Sequence, residues 1–234
     1  MYFGYFDPTI IILIPAIIFT LIAQSKVKSA YSKYRSIPTR RGITGYQAAR
    51  MILDNNGMQH VPIEITAGTL SDHYDPKNDV MRLSNDVYNG TSIASVSIAA
   101  HESGHALQDG TSYGFLKFRS AIAPAVSLVS TASWPLILIG LIIIGTGNLT
   151  TGNLLFNLGI LFFCAVVLFH TVTLPVEFNA SRRAVRQLAD LGIIDAAETK
   201  GAKKVLSAAA MTYVAALAAA VANLIRILLI RGRD

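Results

Sequence analysis

The chain has 234 residues, a net charge of +6 and only 15% charged residues, and its mean hydropathy is +0.47. That is enough chain for one or two compact units and too apolar for an ordinary soluble domain, so a membrane protein is the first expectation. No nucleic-acid motif accompanies the basic charge, which sets nucleic acid aside as a partner, and the single cysteine, Cys164, excludes an intrachain disulfide or a cysteine-rich metal cluster.

Taken in chain order, Ile10 to Ala23 is apolar apart from Pro15 and Thr20, and with Tyr2 to Phe6 it predicts a span, interrupted by Asp7 and Pro8, in an anchor over residues 1–24. Positive charge follows this run, at Lys26, Lys28, Lys33, Arg35, Arg40 and Arg41. An uncleaved signal anchor with its N-terminus outside is therefore expected. Residues 25–121 read as a catalytic region of mixed α and β structure. Tyr46, Ala49, Ile52 and Leu53 have helical spacing, and Gly57 supplies the stop. Val61, Ile63 and Ile65 alternate as an edge strand, Asp72 to Asn78 has turn chemistry, and Val80 to Leu83 is a short β-like run. That last run is expected to pair with an extended substrate, with Arg82 either touching it or standing as a solvated edge charge. Thr91-Ser92 caps a predicted helix from Ile93 to Gln108, closed by Asp109-Gly110.

Ile122 to Ile144 and Leu154 to Leu174 are each long enough to cross about 30 Å of hydrocarbon. They predict a transmembrane hairpin over 122–174. A polar stretch over 175–207 follows, with Pro175 at its helix start, and the Ala-rich 208–234 is read as a fourth span rather than a membrane-surface helix. The basic residues lie in the two segments that face the same side, so that side is expected to be the cytoplasm.

Chemistry is concentrated in His101-Glu102-Ser103-Gly104-His105. Residues four apart on a helix share a face with Cβ atoms about 6 Å apart, so His101 and His105 can converge on one tetrahedral Zn²⁺. Glu102 turns instead toward a water on the metal, as a general base for peptide hydrolysis requires. The turns before it are apolar nearly all round, so this helix is buried, and buried His and Glu need partners. Gly104 costs about 1 kcal/mol in a helix interior, which implies a close neighbour over that turn. A catalytic zinc takes a third protein ligand from where the chain returns. Glu177, just after the hairpin, is the candidate; Glu198 is the nearest rival and Glu64 a poorer one. His73 has two readings, an oxyanion donor backed by Arg182 or Arg183, or a turn histidine capping its own loop through Asp72 or Asp75.

These stretches resemble the neutral zinc metallopeptidases, the YugP-like family of bacterial membrane proteins. The likeness is carried by Gly45 to Gly57, by Leu70-Ser71-Asp72-His73-Tyr74-Asp75-Pro76, by Arg82-Leu83-Ser84, by Ala99 to Gln108 and by Leu174 to Ala184. It covers nearly the whole chain, and the Leu-Ser-Asp-His-Tyr-Asp-Pro string is more specific than HExxH. The resemblance implies one zinc per chain, proteolytic activity and a multi-pass protein of the bacterial cell membrane. The arrangement is also similar to the membrane gluzincin peptidases, whose glutamate ligand sits in a Glu-x-x-Ala-Asp pattern after a transmembrane hairpin. Glu177-Phe178-Asn179-Ala180 matches that pattern, but Ser181 replaces the Asp that supports a zinc-binding His, leaving open what orients the imidazoles.

The expected architecture is thus a mainly α membrane protein in which a zincin-like HExxH catalytic unit with a small β-sheet packs on about four transmembrane helices. The expected partners are the lipid bilayer and a peptide or protein substrate. Two other readings stand beside membrane-bound peptidase: an intramembrane metalloprotease, and a non-catalytic zinc-binding scaffold or assembly factor.

Overall fold

The computed structural model describes residues 8–232. Tyr2 to Phe6 and Asp7 of the expected anchor, and the C-terminal Arg233, lie outside the described residues. The chain is mainly helical. After a 3₁₀ turn at Pro8–Ile12 come α1 (Leu13–Arg35), α2 (Gly45–Asn55), β1 (Ile63–Thr66), β2 (His73–Asp75), β3 (Val80–Ser84), α3 (Asn85–Tyr88), α4 (Ile93–Gly110), α5 (Gly114–Gly145), α6 (Leu149–Asp190) and α7 (Ala196–Arg231). The described residues fall into two compact units. One holds 8–22, Phe118–Thr173 and 213–232; the other holds Ala23–Lys117 and Leu174–Thr212.

The second unit contains the sheet. Thr44 starts α2 with a reciprocal cap: its Oγ1 accepts from the Gln47 N–H at 3.1 Å, and the Gln47 Oε1 accepts from the Thr44 N–H at 2.9 Å. Ala48, Ala49, Ile52 and Leu53 form its buried face, and Gly57, at φ +75°, ends it as the sequence predicts. The strand order is β1-β3-β2, with β1 parallel and β2 antiparallel to β3. This corrects two expectations. β3 is the central strand, paired on both sides, so it has no open edge to offer a substrate. Arg82 on β3 lies between Glu64 (3.1 Å) and Asp75 (3.5 Å) and is spent on those carboxylates. The Asp72–Asn78 segment is also not all turn. His73 to Asp75 is strand, and the turn proper is made by the Asp75 Oδ1, which accepts from the N–H groups of Lys77 and Asn78.

α4 is buried on almost every face and is capped by the Ser92 hydroxyl, which accepts from the Ser95 N–H at 3.1 Å. Its Val96, Ala99 and Ala100 pack with Ile52, Leu53, Met81, Leu83 and Leu188 in one core. α4 therefore has fixed neighbours around most of its circumference, as a helix bearing buried polar groups requires.

The first unit is built from apolar helix. Among the described residues, four helices, Pro8–Arg35, Gly114–Gly145, Leu149–Asp190 and Ala196–Arg231, are long and apolar enough to cross a membrane. Leu128, Leu138, Ile142, Leu154 and Leu161 are exposed on it. Inside, Ile137, Phe156, Phe163 and Ile227 form the core. α5 and α6 touch backbone to backbone: a Cβ on Gly140 would lie 2.6 Å from the Phe156 N, and one on Gly159 would lie 2.9 Å from the Ile137 N.

Pro175 does not start a helix, as was expected, but lies inside α6, which runs unbroken to Asp190. Proline cannot donate to the Thr171 carbonyl. The neighbouring turns are supported by two threonine hydroxyls that donate to carbonyls one turn back, Thr171 to Val167 and Thr173 to Phe169, both at 2.8 Å. A single lost bond in a helix so long and so apolar does not break it.

The glycine contact makes a test. Gly140→Val forces α5 off α6 and is expected to lower the thermal unfolding midpoint of the detergent-solubilised protein, at an overpacking cost of about 1–3 kcal/mol. Gly145→Val, with open space around its Cβ position, is the control and is expected to move the midpoint much less.

Candidate metal centre

The centre lies within the sheet-containing unit and is made where α4 meets the stretch of α6 after Pro175. Gly104 allows that meeting. A Cβ there would lie 2.5 Å from the Ala180 carbonyl oxygen, so only glycine lets the two backbones come this close. The close neighbour expected over Gly104 is thus α6 itself. His101 and His105 stand one turn apart on α4, their rings edge to face with centroids 4.8 Å apart. Both aim their Nε2 atoms at one oxygen, the Glu177 Oε2, at 3.3 Å and 3.6 Å. Ligand-type atoms from His101, His105 and Glu177 all lie within 4.8 Å of one another, a group able to hold a metal ion.

The far nitrogens decide what the near ones can do. The buried Gln108 amide donates from Nε2 to the Val176 carbonyl (2.8 Å) and the Asn179 Oδ1 (3.1 Å). Its Oε1 therefore faces the His105 Nδ1, 3.0 Å away, and only a protonated Nδ1 can bond to it. His101 Nδ1 bonds the Ser181 hydroxyl at 3.2 Å. With the proton of neutral His105 held on Nδ1, its Nε2 presents a lone pair to a carboxylate oxygen. Two acceptors facing each other in a buried site repel unless a cation stands between them. Two imidazole nitrogens and a carboxylate are also a standard donor set for zinc. The residues present fit the metal.

Glu102 is buried beside this group, and its Oε2 accepts from the Tyr74 N–H of β2 at 3.1 Å. Burial pushes its carboxyl up to about 7, the neighbouring His101 opposing and Glu177 adding to the rise. His73 is not among the converging atoms. It is exposed, and its Nδ1 lies 2.8 Å from the Ser71 carbonyl, to which it must donate. It does cap its own loop, though not through the carboxylates expected: Asp72 is taken up by the Ser84 N–H (2.7 Å) and hydroxyl, and Asp75 by its own turn.

The rival ligands are occupied. Glu198 caps α7 by accepting from the Asp195 N–H (2.8 Å) and also accepts from the Arg40 N–H (2.7 Å). Glu64 pairs with Arg82. Arg183 donates from Nε to the Asn179 Oδ1 at 2.8 Å and from Nη1 to the Leu107 carbonyl at 3.3 Å. Gln108, Asn179 and the Tyr74 backbone were not anticipated as parts of the site. Gln108 follows His105 by three residues and so shares its helix face, a signal the spacing carried. Asn179 and the Tyr74 N–H depend on tertiary contacts and left no local mark.

A family model described as "Putative neutral zinc metallopeptidase" matches residues 9–232. The chain belongs to this family. Among curated proteins it is 46% identical over 227 residues to a "Putative membrane protease YugP" of Bacillus subtilis (strain 168), spanning 96% of this chain and 98% of the relative. No solved structure matches it. Membership implies zinc, and the donor set of His101, His105 and Glu177 is where the chain is equipped to take it.

Gln108→Ala removes the acceptor that holds His105 in the required tautomer. It is expected to weaken zinc binding about 10–100-fold, read by competition against a chromogenic chelator. Gln108→Glu, which keeps an acceptor and loses both amide donors, should fall between Ala and wild type.

Proposed function

We propose that the chain is a membrane-bound zinc metallopeptidase that hydrolyses peptide bonds, with one zinc held by His101, His105 and Glu177 and with Glu102 as general base. The observation that carries this is the convergence of both Nε2 atoms on the Glu177 carboxylate, 76 and 72 residues away in sequence, at 3.3 Å and 3.6 Å. Three protein donors are the number a catalytic zinc site uses, leaving a position for water or substrate.

Bound there, zinc supplies Lewis acidity, bringing a water's pKa to about 7 and polarising a carbonyl. The chain's own residues do the rest. Glu102 takes the proton from the attacking water and returns it to the leaving amine, its Oε2 held in place by the Tyr74 N–H. Gln108 and Ser181 hold the two imidazoles with their Nε2 lone pairs inward. His73 is the proposed oxyanion donor. Its Nδ1 proton is committed to Ser71, so it can donate from Nε2 only as the imidazolium. An extended peptide adding to the sheet must use the outer side of β1 or β2, since β3 is paired on both sides.

The unit carrying the centre also carries Lys26, Lys28, Lys33, Arg35, Arg40 and Arg41, which supports a cytoplasmic catalytic side. The intramembrane reading is weakened because His101 and His105 ride on α4, which is not among the four long apolar helices.

Paired substitutions separate base from ligand. Glu102→Gln is expected to keep full zinc content and lose casein cleavage by about 10³-fold or more. Glu177→Gln is expected to lose the metal and the activity together. Full zinc and full activity in Glu177→Gln, measured by metal analysis of the purified protein, defeats the assignment of the third ligand.

A further inference from the structure

A cavity of about 730 Å³ opens in the same unit, walled by the C-terminal end of α4, the loop after α2, the β2–β3 turn and α6. Two of its lining residues tie it to the metal centre. Asn179 accepts from Gln108, which in turn holds His105, and Leu107 lies on α4 between His105 and Asp109.

Three arginines and three aspartates line it, so its formal charges balance, but Arg182 and Arg183 are not paired with those carboxylates. Each carboxylate in the wall is already engaged: Asp79 faces His60 (3.1 Å) and the Tyr74 hydroxyl (2.8 Å), Asp109 faces the same hydroxyl (3.0 Å), and Asp190 faces Arg186 (3.3 Å). The guanidinium of Arg183, half-buried, bonds only neutral oxygens, those of Asn179 and Leu107. Arg182 beside it has no ion pair or hydrogen bond among the described residues. Two adjacent guanidiniums, Arg183 half-buried and Arg182 exposed, thus reach the cavity with no carboxylate bonded to either. A guanidinium's planar fork suits a carboxylate, which it can hold through two parallel bonds.

We propose that this cavity is the specificity subsite of the centre and takes a carboxylate of the peptide, from an Asp or Glu side chain or from the C-terminus, on Arg182 and Arg183. The proposal rests on the peptidase reading above. Arg183 lies six residues beyond Glu177 on one helix, a rise of about 9 Å, which an extended peptide covers in two to three residues. The anionic group therefore sits two or three residues from the bond that is cut.

The test uses the full chain in detergent with zinc bound and a set of quenched fluorescent peptides alike except for one Asp, walked through each position, or a Lys or Asn in its place. Each is made with a free and an amidated C-terminus, which separates side-chain from terminal carboxylate. The proposal expects KM to fall about ten-fold when the anion stands two or three residues from the cut, as loss or gain of one charge-assisted hydrogen bond implies. Arg182→Glu is expected to invert the preference, so that the Lys peptide has the lower KM; a merely damaged fold does not produce that inversion. Equal KM for all peptides, or an acidic preference that persists in Arg182→Glu, overturns the subsite. Should no peptide be cut, labelled peptides are titrated against the Glu102→Gln protein by anisotropy. Tighter binding of the acidic peptide, inverted by adding Arg182→Glu, supports the subsite while refuting the peptidase reading. Indifference to charge in that titration refutes the subsite.

Discussion

The centre depends on one approach of two helix backbones. At Gly104, α4 comes close enough to α6 that a single methyl group would strike the Ala180 carbonyl oxygen. That contact brings together residues more than seventy positions apart, and without it His101 and His105 would face a gap instead of the Glu177 carboxylate. Gln108 works across the same seam, donating to Val176 on the backbone of α6. The bond that orients His105 and the contact that delivers Glu177 are therefore two parts of one interface. Burial raises the cost of leaving any of these polar groups unmatched, so the interface has few acceptable alternatives.

Much of this was legible in the residues, and the reason differs from part to part. The facing His pair and the separate placing of the Glu102 carboxylate were readable because helical periodicity alone puts positions four apart on one face and their neighbour on another. The need for a close partner at Gly104 was readable from the cost of glycine inside a helix. The apolar runs announced four long helices by length and composition. Glu177 was reachable only by reasoning that the chain must return, helped by its likeness to a known pattern; its own surroundings, a proline followed by a carboxylate, suggest an ordinary helix start, and Pro175 proved to lie inside a continuous helix.

The sheet shows where local reading stops. A strand's own residues do not say which strands lie beside it, and β3, short and apolar, reads from sequence as a strand that a substrate would pair with. Pairing is a property of β1 and β2 as much as of β3, and both claim it. The same limit applies to the orienting groups. The Asp-to-Ser change at Ser181 left the support of the imidazoles undecided, and the answer is divided: a hydroxyl serves His101, and an amide from α4 itself serves His105. That amide is held by Asn179, which Arg183 also binds, so polar order extends along α6 well past Glu177.

The hydrogen bond from β2 to the Glu102 carboxylate comes from the main chain of Tyr74, not from a side chain. Nineteen of the twenty amino acids carry that same N–H. The anchor of the Glu102 carboxylate is consequently independent of the side chain at position 74: the buried phenol is spent on Asp79 and Asp109, and the carboxylate keeps its partner so long as the strand stays in register beneath it. Only proline would take the donor away. The position of this buried carboxylate has been entrusted to the part of the polypeptide that mutation reaches least.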